Sequence, residues 1–176
     1  MSFITQLGCY AANMLNRTYE GQNCSIARSL ELVGERWTLL IIRDAFLGRR
    51  RFDEFQESLG IARNVLTERL NRLVDEGIME KVEYQDRPVR YEYVLTDLGR
   101  SLRSVLVALA AWGNSRLDPE ERSMILVEAA TGAEVDPVLV DRVSGRRIDG
   151  EGFVFTAGPA ASRAFRERYR GVPARA

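Results

Sequence analysis

The chain has no histidine, a single lysine (Lys81) and two cysteines in 176 residues. Without imidazole, Ser-His hydrolysis, Cys-His proteolysis and histidine-ligated zinc are excluded, so neither an enzyme nor a metal or cofactor protein is expected. Two cysteines, Cys9 and Cys24, are too few for a disulfide scaffold and fit a reducing compartment. No run reaches the roughly 18 apolar residues of a membrane helix. The amino terminus lacks the charged and apolar regions of a secretion signal. The expected location is therefore the cytoplasm. Charge of either sign is also not in excess: 25 basic residues meet 25 acidic ones. No global basic field advertises a nucleic-acid partner, so local arrangement must carry that case. Arginine forks suit phosphate and guanine, although a bias this extreme over lysine points to coding preference.

What is present is ordinary globular material, 45% hydrophobic and 28% charged, enough for one compact domain with appendages. Ile4, Leu7, Ala11 and Met14 recur at helical steps. After Gly21 to Asn23 a second helix is predicted, N-capped by Ser25, with Ile26, Leu30 and Val33 inward. Residues 37–47, WTLLIIRDAFL, are apolar on nearly every side, as a helix buried in a small core should be. Phe52 and Phe55 anchor a short helix over 52–59, and Gly60 supplies a turn. A helix over 62–76 buries Leu66, Leu70, Leu73 and Val74.

Residues 78–96 read as strand, turn and strand. Tyr91, Tyr93 and Leu95 alternate with Arg90, Glu92 and Val94, and Pro88 falls in the turn. A compact Arg-rich helix followed by a charged hairpin is the order of a winged helix-turn-helix, an α+β fold that grips duplex DNA. Thr96 then caps a helix over 97–113 whose Leu98, Leu102, Val105, Leu109 and Trp112 form a seam about two heptads long. Too short to stand alone, that seam suits a symmetry mate; the alternative is packing entirely within the monomer. Beyond Pro119, β-like runs (SMILVEA, PVLVDRV, EGFVFTA) alternate with glycines, and Pro159 opens a last charged helix.

The segments CSIARSLELVGERWTLLIIRDAFLGRRRFDEFQ, LTERLNRLVDEGI and VRYEYVLTDLGRSL, in that order, resemble HxlR-type regulators, relatives of the MarR-like winged-helix proteins. The likeness spans about residues 24–113. It implies a dimeric DNA-binding transcriptional regulator responding to oxidants or small molecules. The resulting division is residues 1–23 as a dimerising helical extension, 24–115 as the winged helix-turn-helix domain and 116–176 as a β-hairpin-rich appendage. The dimer contacts would be Leu7, Ala11, Met14, Leu102, Val105, Leu109 and Trp112.

On a helical wheel, Asn64, Val65, Glu68, Asn71 and Arg72 lie opposite the buried leucines of helix 62–76, flanked by Arg63, Thr67 and Arg69. Such an outward face reads base edges in the major groove. Asn64 can pair bidentately with adenine, Glu68 can accept from cytosine, and Val65 can touch a thymine methyl. Arg51, Thr67, Arg69, Arg87 and Arg90 suit phosphates, which position without reading sequence. The competing expectation is a winged-helix interaction module that does not bind DNA, favoured by the zero net charge.

The resemblance places Cys24 where redox-sensing members carry a reactive cysteine, and a helix N-terminus favours thiolate over thiol. Arg28 lies one turn on, and Cys9 could resolve an oxidised Cys24. The bland alternative is a small buried hydrophobe. Some longer relatives end in Cys-Gly and Cys-x-x-Cys-Gly knuckles. Here Thr131, Asp141 and Ser144 stand where those cysteines would be, so hairpins without zinc are expected.

Overall fold

The computed structural model describes Tyr19 and residues 24–170. The expected first helix, with Cys9, Leu7, Ala11 and Met14, lies outside the described residues. The chain divides into two compact units, residues 1–36 with 154–176 and residues 37–153.

In the first unit, α1 covers Ser25–Val33. Its N-cap is Cys24, not Ser25: the extended backbone that a cap requires occurs at Cys24 (φ −129, ψ 154), and its Sγ accepts the Ala27 N–H at 3.3 Å. Ser25 is already helical and cannot cap. Ala27 and Val33 are buried, whereas Ile26 is 62% exposed and Leu30 is also exposed. A nine-residue helix with apolar side chains on several sides does not choose its inner face by periodicity alone.

The second unit opens with α2, Thr38–Phe46, entered through Trp37 in the left-handed region (φ 80). Ile41 and Ile42 are fully buried, while Leu40 and Leu47 stay exposed, so α2 is covered on fewer sides than its composition predicts. A buried carboxylate appears here too. Asp44 is covered to 1% exposure, and its Oδ1 accepts from Arg43 Nε and Nη2 at 2.9 and 2.8 Å. A buried charge demands such a partner.

Helix α3, Phe52–Leu59, plants Phe55 in the core and ends at Gly60 in the left-handed conformation (φ 60) that glycine adopts without strain. Helix α4, Arg63–Asp75, buries Leu66, Leu70 and Leu73, while Val74 is only half-buried. Strands β1 (Met79–Asp86) and β2 (Val89–Leu95) then pair antiparallel, Met79 opposite Leu95 and Asp86 opposite Val89, with an irregularity between Glu83 and Gln85. Tyr93 and Leu95 are buried as the alternation predicts; Tyr91 is exposed because the outer half of this two-stranded ribbon extends past the core.

The helix predicted over 97–113 is two helices, α5 (Asp97–Ser101) and α6 (Arg103–Asn114), joined at Leu102. The Thr96 hydroxyl caps α5 by accepting the Gly99 N–H at 3.1 Å. No residue of α6 is buried, and Val105, Leu109 and Trp112 are exposed, Trp112 to 62%.

After a short 3-10 turn at Pro119–Glu121, the β-like runs form two tight loops, each held by one bridge, Val127 with Glu134 and Val140 with Arg147. EGFVFTA forms no strand. Hydrogen bonds close these loops: Thr131 Oγ1 donates to Glu128, and Asp141 Oδ2 accepts from the Ser144 N–H and hydroxyl at 2.7 and 2.6 Å. Those bonds, led by the Ser144 hydroxyl, hold the Asp141 carboxyl below its ordinary pKa. Among the described residues no cluster of acids and cysteines could hold a metal. Back in the first unit, α7 covers Arg163–Arg168, capped by Ser162.

Candidate nucleic-acid interface

Helix α4, the N-cap of α3 and the hairpin carry the predicted contact residues, and packing sets which of those on α4 face outward. Helix α4 rests on Leu66, Leu70 and Leu73, which leaves Arg63, Asn64, Thr67, Glu68 and Asn71 exposed and Val65, Arg69 and Arg72 half-covered. Its N-cap is Ala62, which offers no side-chain acceptor to the first-turn N–H groups. That end of the helix therefore keeps donors for an anion such as a phosphate.

The arginines differ in how they are held. Arg63 lies over the Phe52 ring at 4.9 Å, and Arg51 over the Tyr84 ring at 4.5 Å while its Nε reaches Glu92 at 3.4 Å. Arg69 pairs with Glu68 at 2.9 Å, and its side chain is only 11% exposed, so it anchors Glu68 more than it projects. Among the described residues, Arg63, Arg87 and Arg90 have no carboxylate within salt-bridge distance. They are cations without internal compensation.

The hairpin tip is organised by Gln85, whose Nε2 donates to the carbonyls of Arg87 and Pro88 at 3.0 and 3.1 Å. At its base the Tyr93 N–H donates to Arg50 O at 2.7 Å, and Arg51 bridges to Glu92. The segment before α3 thus acts as a third edge fixing the wing to the helix-turn-helix. Glu92, Tyr84 and Phe52 are the supports that sequence reasoning missed. Glu92 and Tyr84 are far from Arg51 along the chain, and no periodic signal links them to it.

Glu54 locks the entry to α3, its Oε2 accepting the N–H groups of Arg50 and Arg51 at 2.8 and 3.0 Å. The Arg50 bond foremost, then that of Arg51, holds the carboxyl below its ordinary pKa. A group depressed on folding contributes stability above its unfolded pKa and loses it as pH falls through the folded one. Urea midpoints at neutral and acid pH should therefore drop more for the wild type than for Glu54→Gln. Equal drops would show that this cap is thermodynamically silent.

Residues 32–121 match the family described as HxlR-like helix-turn-helix. An HTH-type transcriptional regulator of Mycobacterium tuberculosis is 41% identical over 150 residues, 85% of this chain and 94% of that protein. A solved structure described as a transcription factor from Pseudomonas aeruginosa is 49% identical, with a TM-score of 0.62 over 82% of this chain and 99% of that one. The redox regulator HypR in its oxidized form is 30% identical, with a TM-score of 0.50 over 54% of this chain and 99% of that one. The winged architecture, its outward arginines and these likenesses agree: the chain belongs to the HxlR-like helix-turn-helix family of DNA-binding transcriptional regulators, not to a family of enzymes.

Proposed function

We propose that the protein binds a pseudo-palindromic operator as a homodimer, one α4 helix per half-site in the major groove and one wing on the flanking backbone. The observation that carries this reading is the set of cations without a carboxylate partner, Arg63 on the exposed side of α4 and Arg87 and Arg90 at the hairpin tip that extends past the core. Asn64, Val65, Glu68 and Asn71 are the base-reading candidates, with Arg72 beside them. Arg63, Thr67 and the wing arginines serve the phosphates, while Arg51 and Arg69, held by Glu92 and Glu68, position their neighbours. A dimer is supported by the exposed seam of α6: Val105, Leu109 and Trp112 leave apolar surface that isolated soluble domains rarely present as a contiguous patch. Leu102, half-buried at the α5–α6 joint, continues it.

Genome-fragment selection with the purified protein should recover sites with two half-sites about one helical turn apart. Sedimentation should give a dimer that Leu109→Glu with Trp112→Glu converts to monomer. A wild-type monomer, or fragments without a shared motif, would overturn the reading in favour of a winged-helix interaction module.

Oxidation of Cys24 serves as a switch in the same reading. The thiol is partly exposed and already bonded to the start of α1 through the Ala27 N–H, and the similar protein HypR is a redox regulator. A hydroperoxide would take the thiol to sulfenic acid, the peroxide leaving as alcohol. Attack by the Cys9 thiolate would then release water and form a disulfide. Cys24→Ser should abolish the oxidant response of operator binding; an undiminished response retires the switch.

A further inference from the structure

Within the second unit, a cavity of about 690 Å³ opens between α6, the end of α2 and the loop segment over 122–137. Its size falls in the range of small-molecule sites. Its walls are mostly apolar, with Leu106, Ala110, Met124 and Val135 among them. The charged groups on it are not equivalent. Arg43 is taken by Asp44 at 2.8 Å, and Glu134 accepts from Arg122 Nη1 at 3.3 Å. Asp136 is solvent-exposed and makes no demand on a ligand. Arg122 Nε is buried without an acceptor and, having no accessible surface, does not face an occupant of the cavity. Arg103, on the same lining, has the Phe46 ring 5.8 Å from its guanidinium and no carboxylate partner among the described residues. An exposed cation on a mostly apolar wall, with no carboxylate to offset it, suits an anionic acceptor that arrives with an apolar body.

We propose that this cavity binds an organic monoanion, a carboxylate on a medium-length hydrocarbon or aromatic body. The head accepts from the Arg103 guanidinium, and the body packs on Leu106, Ala110 and Met124. Phe46 and Leu47, at the end of α2, also line the cavity. They stand a few residues before Arg51, so an occupant touches the element that leads into the helix-turn-helix. A regulatory consequence rests on the DNA-binding reading above; the site itself does not.

The test uses the full chain and the anionic fluorophore 1-anilinonaphthalene-8-sulfonate, displaced by decanoate or, as charge control, by decylamine. Wild type should bind the fluorophore and release it to decanoate at roughly tenfold lower concentration than to decylamine, the ratio expected of one charge-assisted hydrogen bond. Arg103→Met should erase that preference, and Ala110→Trp, which fills the cavity, should abolish binding. Val105→Ser with Trp112→Ser, on the exposed seam, should leave binding unchanged. Equal displacement by the two competitors, an unaltered Arg103→Met, or loss of binding in the seam variant alone would overturn the assignment. Circular dichroism confirms that each variant is folded; should Ala110→Trp not fold, Leu106→Phe replaces it. If fragment selection recovers no operator while decanoate still binds with its preference, the DNA reading fails and the ligand site stands.

Discussion

Raising the salt from about 50 to about 200 mM should weaken operator binding on the order of a thousandfold, because each neutralised phosphate releases counterions and six or more contacts are expected per dimer. The expectation does not depend on net charge, which is zero. It depends on where positive charge lacks an internal partner. Many of the arginines here are spent inside the molecule: Arg43 and Arg49 face Asp44, Arg50 and Arg51 face Glu92, and Arg69 faces Glu68. Arg63, Arg87 and Arg90 are not, and all three are exposed. Changing them together to glutamine should flatten the logarithmic salt dependence by about 0.9 per lost phosphate contact. Folded stability should move by only about 0.5 kcal/mol, since exposed side chains without a carboxylate partner contribute little. A triple variant with the wild-type slope would show that other cations make the contacts.

Gly99→Ala should destabilise the protein by about 3 kcal/mol, toward the upper end of what overpacking costs. Propensity alone predicts the opposite sign, since alanine is about 1 kcal/mol better than glycine inside a helix. The packing decides: a Cβ at Gly99 would stand 2.2 Å from the Ile78 carbonyl oxygen and 3.0 Å from Leu95 Cδ2. Neither can move freely. Ile78 O already accepts the Thr96 N–H at 3.1 Å, and Ile78 and Leu95 are both buried. This close approach joins the end of α4, the base of the wing and the start of α5, so its loss should propagate to the hairpin. A urea midpoint equal to or above that of the wild type would refute it.

The order of elements was legible because each has a local cause. The leucines of α4 recur at helical spacing, β2 alternates, Gly60 and Thr96 punctuate, and these signals place helix, wing and cap within a residue or two. Where local cause was weak, the reading slipped. Composition favours Ser25 as the cap, and only the backbone angles assign that place to Cys24. The break at Leu102 carries no glycine or proline to announce it. The runs after Pro119 have strand composition but almost no partner strands, so they close into loops around side-chain hydrogen bonds instead.

The sequence by itself determined the family, through its resemblance, and the outward face of α4, because periodicity is a property of neighbouring residues. Only the tertiary structure decided which arginines are free, why Asp44 is buried, and that α6 and the segment after it enclose a chamber. Those facts depend on contacts between residues distant in the chain, such as Arg51 with Glu92 or Gly99 with Ile78, and no local pattern encodes them.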